Sequence, residues 1–323
     1  MSTDDNDAYG DLDKSNLKFI YEQFLRNERR RKMQKWKKLL ALAGALVFTL
    51  VVAAGCGNNA ENDKSSASGA KVSSIEQIKQ RGKVRIAVFS DEPPLGFVDS
   101  EGKNQGYDVY FARRIAKDLL GDENAIDFVL TDTAARTEVL EADKADIVLA
   151  NFTVTPERKE RVDFAKPYMK VALGVVSPEG SPITDVEQLK GKKLIVNKGT
   201  TAEMYFTKHY PDIELLKYDQ HTEAFQALKD GWGAALAHDN MLLFAWAREN
   251  AGYTVGVKEL GEIEAIAPAV KKGNKELLDW LNEEIVKLGK ENFFHKDFDA
   301  TLLPVHGNTV QPDDVVVEGG EIK

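Results

Sequence analysis

Short apolar runs alternate with stretches of helical spacing in two successive blocks, and this alternation limits the fold more than any other feature of the chain. In the first block Val84–Phe89, Ile126–Leu130, Asp146–Ala150 and Val171–Ser177 read as strands. Between them, Tyr107–Leu120 carries Val109, Phe111, Ile115 and Leu119 at helical spacing, and Ala134–Glu141 reads as a shorter helix. In the second block Lys193–Val196 is a strand, and Asn197–Thr201 turns into a helix running to about His209. Glu214–Tyr218, Glu223–Lys229, Ala234–Ala237 and Asp239–Asn250 continue the pattern. Such alternation builds α/β layers, and two blocks predict two α/β lobes. The 323 residues suit that division, since single cores stop growing at roughly 250–300 residues. Pro178-Glu179-Gly180-Ser181-Pro182 reads as a turn cluster where the chain crosses between lobes. Ile263–Val270 then returns it to the first lobe, and Leu277, Leu278, Leu281, Ile285 and Leu288 form one stripe of a long helix. The expected division is lobe 1 over 72–172 and 263–323, with lobe 2 over 173–262.

The segment ahead of the blocks is of another kind. Residues 1–32 are polar and charged, with a weak helical stripe (Leu17, Ile20, Tyr21, Phe24, Leu25), and are expected to be an unstructured extension. Met33 is a second plausible start. Lys35, Lys37 and Lys38 precede an apolar core from Leu39 to Ala54 and the small-residue site Ala53-Ala54-Gly55-Cys56. That order marks 33–55 as a secretory signal peptide, its apolar run being shorter than the ~20 residues that span a bilayer. An uncleaved anchor is the alternative, and either places the bulk of the chain outside the cytoplasmic membrane. Cys56 is the one cysteine, so no intrachain disulfide can form. Residues 56–71 are rich in Ser, Asn and Gly, as a flexible tether is. The formal charge of −9 argues against a nucleic-acid partner.

Chemistry concentrates where the strand Asp146–Ala150 runs into Asn151-Phe152-Thr153-Val154-Thr155-Pro156-Glu157-Arg158. Thr155 fits a helix N-cap, Pro156 the first helical position and Glu157 the first turn. Ligands of open α/β sheets bind at the carboxyl ends of strands, which is where Thr153 and Arg158 fall. A guanidinium there can grip a carboxylate with two hydrogen bonds; in the bland reading Arg158 simply pairs with Asp163. The five histidines (His209, His221, His238, His295, His306) are scattered and lack zinc-ligand spacing. Gly231-Trp232-Gly233 starts like a dinucleotide fingerprint but has Leu236 where its third Gly belongs, and neither a Gly-x-Ser-x-Gly elbow nor a phosphate-cradling loop occurs.

Thr153-Val154-Thr155-Pro156-Glu157-Arg158 with Val162-Asp163-Phe164-Ala165-Lys166-Pro167-Tyr168 resembles the signature of family 3 extracellular solute-binding proteins, the amino-acid binders of ABC importers. The resemblance runs from about Val72 to the C-terminus. It implies a type II periplasmic-binding-protein fold, in which two strands cross between lobes and the C-terminal helices fold back onto lobe 1. Cys56 after small residues resembles a lipobox, whose cysteine is acylated and becomes the mature N-terminus; Ala53 departs from the usual Leu.

A free amino acid is a zwitterion, and burying it requires partners for both charges. The resemblance implies Thr153 and Arg158 for the carboxylate and Asp239 for the ammonium, although Asp239 is also a good N-cap for the helix after it. Thr200 and Thr201 follow Gly199 at a helix start whose free amides attract anions. Asn151 opens the turn and is placed among the ligand-facing residues. Phe89 and Glu92 fall where relatives line the side-chain pocket, though Phe89 reads equally as core. Arg136 is by default a solvated helix residue, but acidic-amino-acid binders carry a ligand-contacting arginine at the matching offset.

Ile195-Val196-Asn197-Lys198-Gly199-Thr200-Thr201, Ala237-His238-Asp239-Asn240 and Phe293-Phe294-His295-Lys296 resemble the cysteine-binding lipoproteins of this family. The expectation is an extracytoplasmic, lipid-anchored monomer that delivers cysteine or a related small polar amino acid to a membrane permease, with no cofactor or metal. Glutamate/aspartate binding is the alternative, resting on Arg136. A dehydratase-like enzyme on the same fold is a rival; its acid or base would be Glu92 or His238.

Overall fold

The computed structural model describes residues 75–322. The expected extension 1–32, signal peptide 33–55, anchoring Cys56 and tether 56–71 lie outside the described residues. Among those described, no helix is long and apolar enough to cross a membrane.

Helix α1 (Ile75–Arg81) leads into β1 (Val84–Val88) and the short strands β2 (Asp91–Glu92), β3 (Gly96–Val98) and β4 (Asn104–Gln105). Residues 99–103 close a turn on themselves, Asp99 N donating to Lys103 O (2.9 Å). Helix α2 (Tyr107–Leu120) buries Val109, Phe111, Ile115 and Leu119, the stripe expected from their spacing. It stops at Gly121, which adopts the left-handed conformation and donates its N–H to Lys117 O. Then come β5 (Ile126–Leu130), α3 (Arg136–Glu141), β6 (Ile147–Val148), α4 (Pro156–Arg161), β7 (Val162–Phe164) and β8 (Met169–Pro178). The second block supplies β9 (Lys193–Asn197), α5 (Thr201–His209), β10 (Glu214–Tyr218), α6 (His221–Lys229), β11 (Ala235–Asp239) and α7 (Asn240–Glu249). The return is β12 (Tyr253–Ile266), β13 (Ala269–Lys271), α8 (Lys275–Lys290) and α9 (Phe293–Asp297), followed by short helical turns.

Two five-stranded sheets result, ordered β5-β1-β6-β13-β7 and β10-β9-β11-β8-β12. In each, four strands run one way and a single strand, β13 in the first sheet and β8 in the second, runs antiparallel between its two neighbours. Side chains alternate across the pleat, so each central strand feeds two cores. Ile86 and Val88 belong to one cluster, Ala87 and Phe89 to another. In the second sheet Leu194 and Val196 pack on one face and Ile195 on the other, as do Ala235 and Ala237 against Leu236. Burying each such Val, Leu or Ile contributes about 1.5–3 kcal/mol, which is why the strands read as unbroken apolar runs. Leu277, Leu281, Ile285 and Leu288 of α8 join Phe293, Phe294 and Phe298 in the core of the first sheet.

The crossing differs in place from the expectation. β8 pairs antiparallel with β12 from Met169↔Ile266 to Tyr253↔Pro178, with register shifts between. The Met169/Ile266 end adjoins the first sheet, where Thr153 bridges Ile266 and Ala165 N donates to Pro268 O. The Pro178–Pro182 cluster is therefore a turn at the far end of the second sheet, and the chain crosses near Met169. Ile263–Val270 is also not one strand. Pro268 has no N–H for a ladder, so β12 ends at Ile266 and β13 begins at Ala269. Likewise β6 keeps two residues of the predicted Asp146–Ala150, because the backbone turns at Asn151.

Candidate ligand-binding site

Strand ends from both sheets meet at one small cleft. β6 runs out to Asn151, whose φ of 44° is a left-handed value that Asn tolerates better than most side chains. Asp108 holds that turn: it accepts from Asn151 N at 2.9 Å and from the Tyr168 hydroxyl at 2.5 Å. Four residues later Thr155 caps α4, accepting from Arg158 N at 3.2 Å, with Pro156 at the first helical position as expected. From the second sheet, β9 leads through Gly199 to Thr200, whose hydroxyl accepts from Glu203 N (3.1 Å), and β11 ends on Asp239. Between these ends lies a space of about 210 Å³, part of it open to solvent.

Two guanidinium groups lie against this space. Arg136 donates from Nε to Thr133 O (2.9 Å), from Nη1 to Ala150 O (3.0 Å) and Asn151 O (2.7 Å), and from Nη2 to Gly199 O (3.1 Å). It also stacks over Phe152 at 4.6 Å and Phe89 at 5.5 Å. Arg158 donates to Thr153 O (2.7 Å) and to the same Gly199 O (2.8 Å). Gly199 belongs to the second block, so both arginines reach across the cleft to one carbonyl. Asp163, the bland partner foreseen for Arg158, instead pairs with Lys272 at 2.7 Å. Burial, and for Arg136 the nearby Arg158, pull both guanidinium pKa values down, yet both stay cationic at neutral pH.

Acids face them. Asp239 stands at the N-cap of α7, but its side chain makes no cap hydrogen bond; its Oδ2 accepts from Asn151 Nδ2 at 2.7 Å instead. Asn151 Nδ2 also donates to Glu92 Oε1 (3.1 Å), and Glu92 Oε2 and Asn151 Oδ1 have no partner. Burial pushes the Glu92 carboxyl up to about 8, with His221 opposing and Asp239 adding; burial also raises Asp239, against Asn151 and the two arginines. Glu264, on β12, accepts from Thr201 Oγ1 at 2.7 Å and is pushed by burial and Asp239 up to about 7.

Eight of the nine residues singled out from the sequence line the space: Phe89, Glu92, Arg136, Asn151, Thr153, Thr200, Thr201 and Asp239. Arg158 lies just behind Thr153. Thr133 and His221 also line it and were not foreseen; His238 was foreseen only as a possible base. His221 opens α6, where its N–H donates to Asp91 Oδ2 (2.8 Å) and its Nδ1 meets Asp91 Oδ1 (3.2 Å). Burial opposes a charge on His221, but Glu92 and Asp91 outweigh it and raise its pKa. Burial, His221 and Arg136 drive His238 well below the usual range, so it is neutral. Histidine spacing along the chain hid that Glu92, His221 and His238 bring one polar atom each within 4.8 Å of one another. That proximity alone would admit a cation. His238 Nδ1, however, accepts from Asp239 N (2.8 Å), which leaves the ring proton on Nε2 and makes that atom a donor, not a metal ligand.

Comparison with known proteins agrees with this architecture. Residues 84–296 match the family of bacterial extracellular solute-binding proteins, family 3. A solved solute receptor for L-cysteine from Neisseria gonorrhoeae is 55% identical, with a TM-score of 0.75 over 76% of this chain and 100% of its own. The cysteine-binding protein of Campylobacter jejuni is 58% identical, also with a TM-score of 0.75, over 76% of this chain and 98% of its own. The ABC transporter glutamine-binding protein GlnH of Bacillus subtilis is 34% identical over 78% of this chain and 92% of its own length. With two lobes, two crossing strands and a polar cleft of the type II periplasmic-binding-protein fold, the chain belongs to the bacterial extracellular solute-binding proteins of family 3.

Proposed function

We propose that this chain captures one free α-amino acid, cysteine before others, and delivers it to the permease of an ABC importer. The observation that carries the reading is the opposition of buried charge across one small cavity. Arg158 with Thr153, Thr200 and Thr201 stands on one side, and Asp239 with Asn151 on the other. A zwitterion needs both sets at once. In this reading Arg158 exchanges a carbonyl partner for the ligand's carboxylate, the Thr153 hydroxyl and the amides before α5 add donors, and Asp239 and Asn151 Oδ1 take the ammonium.

Cysteine is favoured over glutamate or aspartate for a specific reason. Arg136, on which acidic specificity would rest, already donates to four backbone carbonyls and so serves to order the cleft. The two solved relatives reported above at more than half identity are described as a solute receptor for L-cysteine and a cysteine-binding protein. We read Glu92 and His238 as recognition groups and not as a catalytic pair, because the proton on His238 Nε2 keeps that atom from acting as a base toward a guest. Thermal-shift screening against the twenty amino acids and cystine tests the assignment. L-cysteine should give the largest rise in melting temperature, with about 2.7 kcal/mol added at a hundred times Kd. A largest rise with glutamate would reverse the choice of ligand.

We further propose that Cys56 is acylated after cleavage of 33–55 and anchors a monomer to the outer face of the cell membrane. Cys56→Ser should abolish incorporation of labelled fatty acid.

A further inference from the structure

Resting on the reading of the cleft as an amino-acid site, we propose that Tyr168 is a positioning residue for ligand capture. Through Asp108 it fixes the Asn151 turn, and so ties the grip on the ligand's ammonium to the place where the chain crosses between lobes. Tyr168 closes the stretch Val162-Asp163-Phe164-Ala165-Lys166-Pro167-Tyr168, none of whose residues lines the cleft.

The backbone of Tyr168 belongs to the crossing. Its N–H donates to Ile266 O (3.0 Å) at the end of β12, its carbonyl accepts from Val317 N (3.1 Å), and the next residue, Met169, opens β8. The side chain belongs to the cleft. Its ring lies 5.3 Å from that of Phe111, 5.9 Å from Tyr107 and 6.0 Å from Phe294, so the buried phenol stands as a rigid post. The hydroxyl donates to Asp108 Oδ1 at 2.5 Å.

The other Asp108 oxygen accepts from Asn151 N at 2.9 Å, where φ is 44°. A left-handed residue with a side chain holds that backbone only where its surroundings impose it. So fixed, Asn151 sends Nδ2 to Asp239 Oδ2 at 2.7 Å. The second crossing strand grasps the same turn, Val154 N donating to Ala265 O (2.9 Å) and Ala267 N to Phe152 O (3.3 Å). One chain of contacts, Tyr168 to Asp108 to Asn151 to Asp239, thus runs from the crossing to the acid of the second block. Asp108 serves in it through two acceptor positions and not through its charge.

Calorimetry of the full chain under reductant tests this with L-cysteine, or with the amino acid that gives the largest thermal shift. Tyr168→Phe removes the hydroxyl alone and should weaken binding about tenfold, the lower end for a hydrogen bond to a charged group. Asn151→Gly keeps the left-handed backbone but loses the amide that reaches Asp239. In that background Tyr168→Phe should cost less than about twofold further, because the hydroxyl acts through the missing side chain. A purely structural tyrosine would lower the melting temperature in both backgrounds and let the two affinity losses multiply. Asp108→Asn keeps an acceptor for Asn151 N and offers an amide to the Tyr168 oxygen, so it should bind within about threefold of wild type, whereas Asp108→Ala should be at least as weak as Tyr168→Phe. Wild-type affinity in Tyr168→Phe, losses that multiply in the double variant, or Asp108→Asn as weak as Asp108→Ala would each overturn the positioning role while leaving amino-acid capture standing. No binding of any α-amino acid by folded wild type would remove the capture reading as well.

Discussion

The same first sheet carries a buried carboxylate and two arginines at each of its ends, and the two ends are built differently. At the amino end, Asp146 accepts from Arg81, from Arg85 N at 2.8 Å and from Arg85 Nη2 at 2.6 Å. Every oxygen is used, and the flanking arginines remain about a quarter to a third exposed. At the carboxyl end, Arg136 and Arg158 bypass the acids and donate to backbone carbonyls, while Glu92 Oε2, Asn151 Oδ1 and His238 Nε2 stay unpaired. Ingredients alone do not mark a site. A satisfied ion cluster fastens helix to strand, whereas an unsatisfied one withholds its hydrogen bonds for a guest.

Four measurements bear on that contrast. The largest effect is expected at the cleft: Arg158→Ala and Asp239→Asn should each weaken ligand binding by two to four decades, the roughly 3–5 kcal/mol of a broken buried ion pair. Calorimetry reads this directly; wild-type affinity in both folded variants would sink the assignment of the two charges. Asp146→Ala should do the reverse, lowering unfolding free energy by about 2–3 kcal/mol in denaturant titration, softened because Arg81 and Arg85 can rehydrate. Its effect on affinity should be within experimental error, and a large one would mean the two ends are coupled.

Next in size is a pH effect to which the cleft end contributes. Glu92, Glu264 and Asp108 have pKa values raised by burial to about 8, 7 and 6, so the folded state holds protons that the unfolded state has lost. Stability from these groups is complete below the ordinary carboxylate range and is lost as pH rises through those values. His238, held neutral, works the other way only below its ordinary pKa of 6.5. The melting temperature should therefore fall from pH 6.5 to 8.5, and Glu92→Gln should flatten that slope. The smallest change is Thr155→Ala, which removes the cap of α4 at a cost of about 1 kcal/mol. Affinity should drop slightly with it, since α4 carries Arg158; chemical denaturation and calorimetry on one sample separate the two.

Much of this was legible where the cause is local. The stripe Val109, Phe111, Ile115 and Leu119 and a closing Gly121 delimit α2, and Thr155-Pro156 start α4 as read. β12 was not legible. Its exposed Glu262 and Ile263 and its register shifts beside Val255, Val257 and Leu260 break the two-residue alternation by which a strand is recognised. His221 escaped notice because its partner Asp91 is 130 residues away, a distance only the assembled cleft closes. Asp239 was read for both an N-cap and a cleft role, and the choice between them needed Asn151 Nδ2 from the other lobe.

Gly199 has φ of 75°, and a Cβ built on it would lie 2.8 Å from the Cα of Ala134 in the other block. Backbone thus meets backbone across the cleft, and the contact acts as a mechanical end-stop. Side chains can yield when jaws close; main chains cannot. The height of the cavity is then set by the scaffold and not by whatever fills it, so an oversized guest cannot trade a looser grip for a complete closure. A single methyl at residue 199 would act as a shim, holding the jaws apart by a fraction of its own thickness and stretching the hydrogen bonds from Arg136 and Arg158 to the carbonyl they share.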